Sequence, residues 1–192
     1  MGNIFKMSAT LFLVAGLASG LLAFYSSMTS PVIKELSLKK ETEARTYVVP
    51  KSVKEFEEIK KDNITYYKAK DDKGSLIGYV FLAKGPGFSG DVETMVGVDP
   101  NFKIFGVKVI KQTETPGLGA ETQVVKYGDT KPFFESWFEG VNSINVVVEK
   151  DNANSKDKVQ SITGATITTR AVCNAINKYS KLVKEDLQEG GM

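Results

Sequence analysis

Between Lys6 and Lys34 the chain carries no charged residue, and inside that stretch runs LFLVAGLASGLLAFY, positions 11–25. A helix crosses the hydrocarbon core of a bilayer with about 20 largely apolar residues, and the span from Met7 to Ile33 supplies them. A cleavable signal peptide is the rival reading, because Lys6 gives a short basic start and the apolar core is compact. Against cleavage, Phe24 and Tyr25 stand at the end of the apolar run, where small residues would have to be, and no cysteine is at hand for lipid attachment. The expectation is therefore an uncleaved anchor over residues 1–33, with Phe24 and Tyr25 at the interface. Gly16 and Gly20 form a GxxxG step that would let another membrane helix approach closely. Charges near the two ends of the span are mixed and do not settle its orientation.

Beyond the anchor the chain has the length of one well-buried domain. Lys and Arg total 25 against 23 Asp and Glu, so no broad basic field exists to hold nucleic acid. The sequence has no His and one Cys, Cys173, which excludes a cysteine-ligated iron–sulfur cluster, a structural zinc site and an internal disulfide. No metal site is expected. Cys173 lies in a helical pattern and reads as a small buried hydrophobe.

From Lys34 to Arg45 the residues are charged helix formers, and Val53, Phe56 and Ile59 then recur at helical spacing, so residues 34–60 read as connecting helices. The domain proper is expected over 61–192. ITYYKA (64–69) and LIGYVFLA (76–83), separated by DDKGS, predict a hairpin. VETMVGV (92–98) and IFGVKVI (104–110), joined through DPN, extend it to an antiparallel meander of about four strands. Short helical candidates lie around 120–126 and 132–138, and INVVVE (144–149) is strand-like. A final helix over Thr168–Leu187 places Val172, Ile176, Tyr179 and Val183 on one face. Strands in a run with helices gathered around them predict the α+β class.

The segment SITGATITTRAV (161–172) sets the hydroxyls of Ser161, Thr163, Thr166 and Thr168 around Gly164, just ahead of that helix. Glycine lets the backbone turn without a Cβ clash, and a helix start offers unpaired N–H groups to an anion, so a phosphate site is physically reasonable. The competing reading makes Thr168 or Thr169 a helix N-cap and the rest a plain loop. Local physics leaves both open.

Thr163-Gly164-Ala165-Thr166 resembles the S/T-G-A-T flavinylation motif of the FMN-binding-domain family, which includes the G subunit of the Rnf complex and the C subunit of the sodium-pumping NADH:quinone reductase. Two further matches lie upstream in the family's order: the glycine-rich turn Gly85-Pro86-Gly87-Phe88-Ser89-Gly90-Asp91-Val92 and the loop Glu114-Thr115-Pro116-Gly117-Leu118-Gly119-Ala120. In one respect the sequence departs from the family, which commonly has Asp where Gln160 stands, three residues before the tetrapeptide.

The resemblance implies FMN joined through its phosphate to the Thr166 hydroxyl as a phosphoester by a flavin transferase, with Thr163, Gly164 and Ala165 alongside. It also implies that Glu114, Thr115, Gly117, Leu118 and Gly119 flank the isoalloxazine ring. The glycines at 85–90 read first as a turn. Compact length points to the Rnf branch, hence to an electron-transfer subunit of a membrane-bound ion-translocating ferredoxin:NAD oxidoreductase, with other membrane subunits as partners. Its domain would lie on the non-cytoplasmic side of the cell membrane. GPGFSG lacks the spacing of a dinucleotide-binding G-x-G-x-x-G, so the chain is expected to relay electrons within a translocase and not to act as an enzyme alone. The alternative is a membrane-anchored binding or sensory domain that holds a ligand reversibly and transfers no electrons.

Overall fold

The computed structural model describes residues 2–61 and 63–189, and the chain divides into two compact units, Met1–Lys40 and Glu41–Met192. Helix α1 runs over Gly2–Tyr47 without interruption. Among the described residues it is the one helix long and apolar enough to cross a membrane. In the first unit, hydroxyls of the apolar span bond back within the helix: Thr10 donates to the Lys6 carbonyl at 2.9 Å and Ser30 to that of Ser26 at 2.7 Å. Such back-bonding is how hydroxyls are accommodated where water is absent. Leu11, Phe12, Leu17, Leu21 and Phe24 are all exposed.

The second unit is built on a five-stranded antiparallel sheet in meander order, β1 (Glu55–Lys60), β2 (Thr65–Lys70), β3 (Leu76–Pro86), β4 (Asp91–Val98) and β5 (Ile104–Lys111). Its turns carry their own chemistry. Asp71 Oδ1 accepts from the Lys73 and Ser75 amides while Gly74 takes φ +78°, and Asp99 Oδ1 accepts from Asn101 and Lys103. Side chains alternate across the sheet with period two. Tyr79, Phe81, Ala83, Val92, Val96 and Val98 enter the larger core, while Val80 and Met95 enter a smaller one on the other face.

That smaller core includes Ala44 and Val48, so the end of α1 and the residue after it are packed into the second unit. A Cβ on Gly97 would stand 2.2 Å from the Val48 carbonyl oxygen, which is why the strand needs glycine there. The segment expected as a second connecting helix is instead β1, paired with β2 from Glu55↔Lys70 to Lys60↔Thr65. Phe56 packs against the smaller core and Ile59 against the larger one; a spacing of three puts residues on opposite faces of a strand. The charged stretch from Lys34 is the continuation of α1.

Beyond the sheet come a 3₁₀ turn at Gly119–Gln123, the short α2 (Phe133–Ser136), a parallel pair β6 (Val147–Val148) with β7 (Lys158–Val159), and α3 (Thr166–Glu189). The strand-like run at 144–149 is thus ordered as a strand only over two residues. α3 buries Val172, Cys173, Ile176 and Val183 against the larger core, with Tyr179 half-buried beside them. Its first turns lie close against β3, since a Cβ on Gly85 would meet the Ala171 carbonyl oxygen at 2.5 Å.

Candidate functional site

Three loops meet where α3 begins, and Glu114 ties them together. This residue is 6 % exposed. Oε1 accepts from the backbone amides of Phe88 and Ser89, both at 2.9 Å, and Oε2 accepts from the Thr168 hydroxyl. One carboxylate therefore joins the β3–β4 turn, the 114–120 loop and the first turn of α3. Charge-assisted hydrogen bonds of this kind are the strong ones, and here they replace water on a nearly buried group. Glycines make the approach possible: a Cβ on Gly87 would meet Glu114 Oε1 at 2.4 Å, and one on Gly119 would lie 2.6 Å from both Glu114 Oε2 and Thr168 Oγ1.

On this base sits a cleft of about 400 Å³, within the usual range for a cofactor site. Of the residues singled out in the sequence, Glu114, Thr115, Leu118, Gly119, Gly164, Ala165 and Thr166 line it, and Thr163 and Gly117 are not among the lining residues. Gly117, off the lining, and Gly164, in it, both take positive φ, +76° and +78°, which glycine adopts without strain. Leu118 leans over Gly164, where a Cβ would come 2.8 Å from its Cδ2. Phe88, Leu118 and Ile167 present exposed apolar side chains to the cleft, which suits a flat ring.

The hydroxyls of the 161–169 segment are sorted by their surroundings. Thr168 is buried and donates to Glu114; Thr169 is buried, donates to the Ala165 carbonyl and accepts from the Ile162 amide. Ser161 Oγ is buried, and Thr163 is exposed away from the cleft lining. Thr166 alone of these combines a place in the cleft with a half-exposed side chain. α3 starts at Thr166, with the Ala165 carbonyl accepting from the Thr169 amide at 3.1 Å. Thr168 and Thr169 therefore lie inside the first turn and do not cap it, a correction to the sequence expectation. Early amides of a helix have no partner within it, so Thr166 sits beside unpaired N–H groups at the positive end of the helix dipole.

Sequence reasoning missed Lys150, Phe88 and Ile167 as lining residues. Lys150 Nζ lies 3.5 Å from Thr166 Oγ1. Its neighbour Asp151 accepts from Nε and one terminal nitrogen of the Arg170 guanidinium, and that hydrogen-bonded pairing holds the Asp151 carboxyl below its usual range. Nothing local in the sequence marks Lys150, which reaches the site only through folding. Cys173, behind the site, is 2 % exposed, and burial pushes its thiol up to about 12, so it is an inert packing residue. Among the described residues no cluster of His, Cys, Asp or Glu could hold a metal ion.

An antiparallel sheet backed by one long helix, with an apolar-walled cleft at that helix's N-terminus and a lysine beside a threonine hydroxyl, makes a domain whose cleft has the walls and donors to take a phosphorylated flat ligand. The FMN-binding domain family matches residues 87–181, which run from the glycine-rich turn through most of α3. The chain is 30 % identical over 98 % of its length to the G subunit of the ion-translocating oxidoreductase complex of Methanosarcina acetivorans, 97 % of which is covered. It is 29 % identical over 91 % of its length to the G subunit of the Na⁺-translocating ferredoxin:NAD⁺ oxidoreductase complex of Acetobacterium woodii, with 88 % of that protein covered. In fold it is similar to the crystal structure of the C subunit of the Na⁺-translocating NADH-quinone reductase from Parabacteroides distasonis, with TM-score 0.53 and 23 % identity over 77 % of this chain and 94 % of that one. The chain belongs to the FMN-binding-domain family and groups there with the G subunits of ion-translocating oxidoreductase complexes.

Proposed function

We propose that the chain is an electron-transfer subunit of a membrane-bound, ion-translocating ferredoxin:NAD oxidoreductase, carrying FMN through a phosphoester to Thr166. The observation that carries the reading is the position of Thr166: of the hydroxyls in its segment, it is the one that faces the cleft without another task. The residues present fit the cofactor. Lys150 and the first amides of α3 would hold the phosphate, while Leu118, Phe88 and Ile167 would enclose the ring. FMN supplies the reversible uptake of electrons, and the protein supplies attachment, position and a partly dry environment. Glu114 and Gly119 act beneath the cleft, fixing the loop that carries Leu118 relative to α3.

α1 serves as a single-pass anchor in this reading, with the domain on the non-cytoplasmic side and other membrane subunits of the complex as neighbours. A flavin transferase installs the cofactor. Support comes from the apolar span of α1 and from the relatives' membership of ion-translocating complexes. The test is to produce the chain with a flavin transferase, denature it in acid and view the gel under ultraviolet light. Fluorescence travelling with the polypeptide is expected. Flavin that washes away would leave a reversible binding domain as the better description.

A further inference from the structure

We propose that Lys150 is the counter-cation of the phosphoryl group at Thr166, and that the Asp151–Arg170 ion pair is the latch that aims it; this rests on the reading of Thr166 as the attachment hydroxyl.

The geometry is a two-point clasp. Thr166 and Arg170 lie four residues apart on α3 and so share one side of the helix. Lys150 and Asp151 are consecutive in the turn after β6, which is closed by the Asp151 and Asn152 amides donating to the Val148 carbonyl at 2.8 and 3.2 Å. Arg170 grips Asp151 through Nε and a terminal nitrogen, and that grip brings the adjacent Lys150 Nζ to 3.5 Å from Thr166 Oγ1. A fork of two parallel hydrogen bonds fixes direction as well as distance.

The charges nearby are accounted for, apart from that of Lys150. Glu149 pairs with Lys158, Asp151 with Arg170, and both oxygens of Glu114 accept from Phe88, Ser89 and Thr168. Among the described residues Lys150 makes no ion pair, and its one polar contact is the Thr166 hydroxyl. A phosphodiester at that oxygen keeps one negative charge, and an ammonium within a few ångströms of it, at a helix N-terminus, is placed to hold that charge. Lys150 thereby fixes the phosphate end of the cofactor, and the orientation of the ring in the cleft is set by it.

The experiment is phosphorus NMR on the full-length flavinylated protein in detergent. Lys150→Ala is expected to shift the phosphodiester resonance toward its position in the denatured protein. Asp151→Asn should shift it the same way by less, Lys150→Arg should restore it, and Lys156→Ala, in the neighbouring exposed loop, should leave it unmoved. A wild-type resonance that Lys150→Ala does not displace overturns the role of Lys150 and leaves the attachment standing. Absence of any phosphodiester resonance in the wild-type protein overturns the attachment at Thr166, and the clasp with it.

Discussion

The Thr168 hydroxyl donates to Glu114 Oε2 at 2.5 Å across 54 positions of sequence, in an interior where both residues are buried. That bond fastens the 114–120 loop to α3, and the same carboxylate holds the Phe88 and Ser89 amides. Glu114→Ala leaves two amides and a hydroxyl without their acceptor, at a cost of about 2–4 kcal/mol by the usual penalty for unmade buried hydrogen bonds. Urea denaturation should show that loss, and the yield of attached flavin should fall with it. A variant as stable as the parent would mean the carboxylate does not hold the three loops together.

Gly119 lies against that bond. Any side chain there meets Glu114 and Thr168 at 2.6 Å, and Glu114 Cβ is close to the backbone and has little room to retreat. Gly119→Ala is expected to destabilise by about 1–3 kcal/mol through overpacking. Gly119→Leu should also change the absorption spectrum and midpoint potential of the flavin, because it displaces the loop that carries Leu118 over the cleft. A spectrum and potential identical to the parent's would show that the loop is structural only.

Much of this arrangement is legible in the sequence because local rules and tertiary structure agree. The turns at Asp71–Gly74 and Asp99–Lys103 carry the side chains that build them, and the four expected strands appear as β2 to β5. The edge strand β1 is misleading because Phe56 and Ile59 serve different faces of the sheet, which reproduces the spacing of a helical stripe. Within the cleft, Thr166 and the 114–120 loop stand out through their motifs. Lys150 does not, since its place depends on Asp151 meeting Arg170, 19 positions away. Thr168 resembles a cap by residue type, and only the long-range contact with Glu114 reveals its use.

Glu135 offers a pH test away from the cleft. Burial raises its carboxyl above the ordinary range, against hydrogen bonds from the Tyr47 hydroxyl and the Val109 amide. A folded value above the unfolded one favours the protonated form in the folded state. The resulting stability is fully present below the unfolded carboxyl's value and lost as pH rises through the raised one. Glu135→Gln keeps the shape and removes the titration, so the decline in thermal stability over that window should flatten. An unchanged slope would place the titration on another group.

Truncation separates the span from the domain. Removing residues 2–33 is expected to release a folded protein from the membrane fraction, whereas removing residues 2–50 should unfold it. The longer cut takes away Ala44 and Val48, which are 0 % and 1 % exposed in the smaller core. Burial of a side chain such as that of Val48 is worth about 1.5–3 kcal/mol, and the gap left in the core adds to the loss. Circular dichroism melts of the two fragments decide the point, and equal melting temperatures would show that the Val48 segment does not support the sheet.

The attachment site itself is tested by peptide mass mapping of the chain produced with its flavin transferase, alongside Thr166→Val, which keeps the β-branched shape and removes only the oxygen. Thr163, exposed and off the cleft lining, and Thr168, buried under Glu114, serve as internal controls in the same digest. The expected result is one FMN adduct on the peptide containing Thr166, mapped to that residue, and a folded Thr166→Val protein with no covalent flavin. An adduct on Thr163 or Thr168, or flavin retained covalently by Thr166→Val, would contradict the assignment.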